Sequence, residues 1–283
     1  MTFFIYKITI QDAANENLIE FVYYLLLYEK DIPDRFFERN EKIRKIAIPS
    51  CVMSIGFWTF NGCLLLKKII IPSSVKSIGK GSFIGCPSLT EITFEFPSSV
   101  TSIGDDAFFQ CSSLKEIIIP TSVTSIGQGS FFSCSSLEKV SIPSSVAEIG
   151  HSAFNACSSL RIISIPISLK LIEGSTFKGC SSLTQISIPS SVTSIGKYAF
   201  SECSELEYVK IPPSVTLIDE CAFNLCSSLT QITIPSSRVT IGDLAFQSCL
   251  MLNQITISSF GTTYRRCAFP PKTRIIKKRF DKL

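Results

Sequence analysis

Histidine occurs once in the 283 residues and tryptophan once, methionine three times, and only 18% of the chain is charged. A lone His151 cannot supply a histidine-rich metal site, and no C-x-x-C spacing occurs, so a zinc centre is not expected. The same scarcity argues against a histidine-based nucleophilic triad, because His151 would have to serve in it and no unusual serine turn accompanies it. No apolar run reaches the ~18–20 residues that cross a bilayer. The longest, 21–27, is bounded by Glu20 and Glu29 and reads as one face of a buried helix. The first ten residues lack a cationic start and a sustained apolar block, and no Asn-x-Ser/Thr acceptor occurs, so a cytoplasmic location is the expectation. The formal net charge of +4 is too small to argue for nucleic acid. With 45% hydrophobic residues, the chain is not a disordered one.

What is present is a period. Phenylalanine recurs at Phe60, Phe83, Phe108, Phe131, Phe154, Phe177, Phe200, Phe223, Phe246 and Phe269, and every interval is 23 except the 25 between Phe83 and Phe108. Cysteine follows three residues later from Cys63 to Cys249. Such a period marks a stack of similar coils, each unable to bury its own apolar face. The cleanest copy carries Leu183, Ile186, Ile188, Pro189, Val192, Ile195, Gly196, Ala199, Phe200 and Cys203. Leu183, Ile186 and Ile188 alternate as a half-buried strand does. Pro189 lacks a backbone donor and ends that strand. Val192 and Ile195 bring a second extended stretch back to the core, and Gly196 suits a corner with positive φ. Ala199 leaves room for the Phe200 ring, and Cys203 acts as a small buried hydrophobe. About five large side chains buried per coil give roughly 10 kcal/mol of gross burial, opposed by backbone ordering, so a single copy should not fold.

Both ends depart from the unit. Residues 1–42 are expected to form an N-terminal helical cap, with a helix over about 13–28 capped by Asp12, followed by a degenerate repeat in which Asn40 stands where cysteine belongs. Residues 43–251 hold nine repeats, and 252–283 hold a decayed copy with a basic tail that frays or shields the last coil. In that last copy Tyr264 replaces the inner isoleucine, Arg265 the glycine and Lys272 the cysteine.

The phrase Ile-Pro-Ser-Ser-Val-Thr-Ser-Ile-Gly ending at Gly196, followed by Ala199, Phe200 and Cys203, closely resembles the BspA-like leucine-rich repeats of parasitic protists and host-associated bacteria. The resemblance runs from about Ile43 to Ile257, with traces to Ile32 and Phe269. It implies a mainly β repeat solenoid: an arc with one concave parallel sheet and an irregular or short-helical convex side. It also implies adhesion and protein contact at a cell surface.

The remaining features favour binding over catalysis. Nine cysteines at the repeat period predict a buried column of free thiols; Cys51, Cys221 and Cys267 lie off it, with Cys221 the expected exposed thiol. Gly79-Lys80-Gly81-Ser82 and Ser73-Ser74-Val75-Lys76 mimic a phosphate loop and a serine–lysine pair, but both are ordinary repeat turns. His151 is expected as a solvated coil residue. Phe94-Glu95-Phe96 holds a two-residue insertion, expected as a bulge; Glu173 and Asp219 replace corner glycines, and Arg238 replaces an inner valine. The outward strand positions form a mixed set with neither a basic stripe nor an aromatic series, which argues against nucleic acid. Among them Ile162, Tyr208 and Lys210, with Gln185 and Gln231 between and beside them, are the candidate partner-binding residues. The expected function is therefore a non-enzymatic protein–protein interaction scaffold that takes a protein partner on its concave sheet, with no cofactor. The alternative is a surface adhesion protein exported without a classical signal. No residue pattern encodes an oligomeric state.

Overall fold

The computed structural model describes residues 30–280, so the expected cap helix over 13–28 lies outside the described residues. From Phe37 to Phe269 the chain winds through eleven coils, each adding one phenylalanine to a column of rings. Neighbouring centroids lie 5.0–5.7 Å apart and ring planes diverge by 1–20°. That spacing is set by the parallel backbone ladders beside the column, and it falls in the range favoured by offset aromatic pairs.

Each coil contributes two extended segments. The first, of two to five residues, alternates exposed and buried side chains, as in Gln185–Ser187, where only Ile186 is buried. Proline then turns the chain, and a second segment, such as Ser194–Ile195, returns to the core. In both cases the hydrogen-bonded neighbour is the parallel segment one coil along, so Ile186 lies beside Val209 and Ile195 beside Ile218. The expectation of one sheet is therefore corrected to two: a long-segment ribbon and a short-segment ribbon, both parallel. The third side is a succession of turns, and the single helical element among the described residues is the 3-10 turn Arg266–Ala268. A 23-residue coil that spends residues on two strands and two corners has no length left for a helix.

The repeated residues are consumed by stacking. Leu183, Ile186, Ile188, Val192, Ile195, Ala199, Phe200 and Cys203 are all buried, and most of their counterparts up and down the chain are buried with them, Phe94 and Ile142 being only partly so. Where alanine is replaced by Ser82, Ser130 or Thr176, the buried hydroxyl donates to the carbonyl of its own coil's corner residue, Gly79, Gly127 or Glu173, which offsets the loss of water.

The corner glycines serve a different purpose from the one expected. Their φ is not positive; instead, a Cβ built on Gly104 would stand 2.7 Å from the carbonyl carbon of Gly79 and 2.8 Å from the oxygen of Ile78. Close approach of successive coils is what demands glycine here. Positive φ occurs elsewhere, twice per coil on the turn side, for instance at Ser152 and Ala156 (φ 56° and 59°), and there non-glycine residues predominate.

Three further expectations change. Arg238 is exposed and Val239 is buried in the inner site, so the turn slips by one residue and keeps its valine. Cys221 is buried, because it occupies the first left-handed turn position and packs against Tyr198; the exposed thiol is Cys267. The basic tail shields rather than frays: Arg274–Lys278 joins the long ribbon in register with Gln254–Ser258.

Candidate functional site

With the inner positions filled, the outward residues of the long ribbon are free to vary from coil to coil. Ile162, Gln185, Tyr208, Lys210 and Gln231 are all exposed on it. Tyr208 pairs in register with Gln185, Lys210 with Ser187 and Thr233, and Gln231 with Gln254. These four candidates therefore share one continuous patch. Ile162 belongs to the same face but pairs with Lys139, and no ladder joins its strand to Gln185–Ser187. The structure thus brings four of the five together and sets the fifth across an interruption.

Large apolar side chains stand out on this face: Ile118 is 70% exposed, Ile162 62% and Tyr208 53%. Charges are of both signs. The Lys68 ammonium meets the Glu91 carboxylate at 2.6 Å, and its hydrogen bond and charge hold that carboxyl below its ordinary range. Both partners are exposed, so the pair shapes the surface more than it stabilises the fold.

A cleft also opens on this side of the molecule. The insertion at Phe94-Glu95-Phe96 does not form a bulge within a continuous ladder: the long ribbon stops after Glu91–Phe94 and resumes at Glu116–Ile118. Between them opens a cleft of about 940 Å³, lined among others by Phe94, Phe96, Lys115, Ile118 and Glu138. Phe96 is 93% exposed at its edge. The lengthened interval between Phe83 and Phe108 was the signal in the sequence. What it could not convey was that the added residues hold the neighbouring strands apart.

The thiol column offers no nucleophile. Each Sγ from Cys63 to Cys249 donates to the carbonyl of the phenylalanine in the preceding coil, at 3.1–3.2 Å. Burial pushes Cys63 up to about 11 and Cys134 and Cys180 up to about 12, so these sulfurs stay protonated and unreactive at neutral pH. His151 is exposed beside Gly174 on the turn side. Among the described residues no three His, Cys, Asp or Glu side chains gather as a metal site would require, and no helix is long and apolar enough to cross a membrane.

The model of the BspA-type leucine-rich repeat region matches residues 30–161 and 147–275, in six copies. The chain belongs to this family. Among solved structures, a leucine-rich-repeat protein from Bacteroides ovatus is 27% identical over 87% of this chain and 86% of its own, with a TM-score of 0.57. The leucine-rich-repeat protein of T. pallidum is 32% identical over 62% of this chain and 83% of its own, with a TM-score of 0.56. A leucine-rich cell surface protein from Faecalibacterium prausnitzii is 28% identical over 88% of this chain and 82% of its own, with a TM-score of 0.47. No curated protein matches the chain. With the first two of these structures the BspA-type chain shares the leucine-rich-repeat fold.

Proposed function

We propose that this BspA-type chain is a non-enzymatic scaffold that binds a protein partner on the exposed face of its long ribbon. The observation that carries this reading is the exposure of Ile118, Ile162 and Tyr208 among polar neighbours such as Glu116, Lys139 and Gln185, on a surface whose supporting residues are committed to the core. Apolar and aromatic groups held rigidly on a polar field are the anchors of protein interfaces. Tyr208 and Lys210, two residues apart on one strand, form the centre of the contact, with Gln185, Gln231 and Ile162 around them. The double variant Tyr208→Ala with Lys210→Ala tests the assignment. It should weaken partner capture from native cells at least tenfold, ~1.4 kcal/mol, while the thermal unfolding midpoint stays unchanged. Undiminished capture would remove these residues from the site.

A second reading, adhesion at a cell surface, has its support in the family alone. Protease shaving of intact cells separates the two: release of fragments from this chain favours adhesion, and protection excludes it.

A further inference from the structure

The long ribbon is interrupted twice, and the two interruptions differ. At the Phe94–Phe96 insertion only the long ribbon opens; the short ribbon runs on through Ser77, Ser102 and Ser125 in register. Between the coils of Phe154 and Phe177 both ribbons open. No ladder joins Ile162–Ile163 to Gln185–Ser187, and none joins Glu148–Ile149 to Leu171–Ile172. The step between Phe154 and Phe177, at 5.7 Å, is the widest in the ring column. The backbone bonds that persist lie along the turns: Ser152 N donates to Gly174 O at 3.0 Å, Phe154 N to Thr176 O at 2.9 Å, Ala156 N to Lys178 O at 2.7 Å and Ser182 N to Ser158 O at 3.1 Å, and the Cys180 and Ser181 side chains also donate across, to Phe154 O and Ser158 O. At the proline corner a side-chain bond, from the Ser168 hydroxyl to the Val146 carbonyl, also crosses the gap. Both strand ladders open while the bonds at the turns are kept, which is the geometry of a hinge about the turn column, with the Ser168–Val146 bond as its tether on the ribbon sides.

The cause lies in two residues flanking the strand Leu171–Ile172. Leu169 fills the inner site that Val146 and Val192 fill in the coils on either side, and it is fully buried, so an added methylene must be accommodated there. Glu173 occupies the corner facing Gly150, a position where successive coils approach so closely that a Cβ on Gly150 itself would stand 2.5 Å from the Gln128 nitrogen of the coil before. An oversized corner residue alone does not open the stack. Asp219 stands at the same position two coils on, with Val215 inside, and there the ladder is intact, Asp219 N donating to Ile195 O at 2.9 Å. Leu169 and Glu173 act together.

We propose that the solenoid is two rigid stacks, 30–163 and 171–280, that flex about the turn column between Ser152 and Ser182, held apart on the ribbon sides by Leu169 and Glu173. Its use rests on the protein-binding reading. The hinge separates Ile162 from Gln185 and Tyr208, so flexing resets the spacing of the anchors and lets one face fit partners of different curvature.

The motion itself needs no partner to be measured. Spin labels carried on ketone-bearing residues, which leave the native thiols untouched, are placed at Lys139 and Gln231 across the hinge, and at Lys45 and Lys139 within one stack. Each pair spans four coils. Electron–electron distance measurements on the full chain should give a distribution about twofold broader across the hinge than within the stack. In the variant Leu169→Val with Glu173→Gly, the two widths should become equal. Equal widths in the unmodified chain, or a cross-hinge breadth that persists in the variant, would overturn the proposal. Undiminished partner capture by the Tyr208 and Lys210 variant would overturn the binding reading and leave these widths untouched, so the two ideas fall separately.

Discussion

The Cys180 sulfhydryl donates to the main-chain carbonyl of Phe154 at 3.2 Å, one coil back, and burial pushes the thiol up to about 12. The same bond is made by the other column cysteines, so each thiol closes its coil onto the one before. Because the folded value lies above the ordinary 9.0, the unfolded chain releases protons first as pH rises. Stability is therefore full below about pH 9 and falls toward pH 11–12, at ~1.4 kcal/mol per pH unit for each such thiol, or about 3 for Cys134 and Cys180 together. Urea midpoints at pH 8 and pH 10.5 should differ sharply; equal midpoints would contradict the buried column. In native protein at pH 8, a thiol reagent should modify Cys267 rapidly and the column only as fast as the chain unfolds.

Glycine and alanine exchanges should have opposite signs at two kinds of position. Ala156 holds a left-handed φ of 59°, so Ala156→Gly should relieve strain and gain up to about 1 kcal/mol. Gly104 has no such φ, yet Gly104→Ala should cost about 1–3 kcal/mol, because the new methyl meets the backbone of Gly79. Chemical denaturation of the two variants reads both signs; a stabilised Gly104→Ala would show that the coils are not so close.

The ring column runs through the centre of the apolar core. Phe131 lies between Phe108 and Phe154 and is completely buried, so Phe131→Ala should cost about 3–5 kcal/mol. Phe36 is exposed beside the column, and Phe36→Ala should cost less than about 1 kcal/mol by the same measurement.

How far the sequence could be read follows from what a period contains. The recurrence of Leu183, Ile186, Val192, Phe200 and Cys203 identified the repeating core positions, because burial within a coil depends on spacing along the chain. Relations between coils are another matter. Whether Gly104 serves φ or close approach depends on where Gly79 lies, and that is set only by stacking. Arg238 read as a core replacement because the turn was assumed rigid, whereas a one-residue slip restores Val239. Cys221 reads as exposed because corners usually are, yet the second residue after the Asp219 corner packs against Tyr198 and is buried. In the sequence Leu169 and Glu173 are two ordinary replacements; their joint effect on two ribbons exists only when the neighbouring coil is in place. The candidate patch was legible as a set of outward positions, but its division between Ile162 and Gln185 was not.

The ribbon face is the claim on which the functional account stands, and site-specific photo-crosslinking in native cells tests it most directly. A photoreactive residue is placed in turn at Tyr208, on the ribbon face, and at Leu250, which is 81% exposed but stands after Cys249 on the turn side. The account predicts a discrete crosslinked protein from position 208 and none from position 250. Crosslinking from 250 alone, or the same products from both positions, would contradict it.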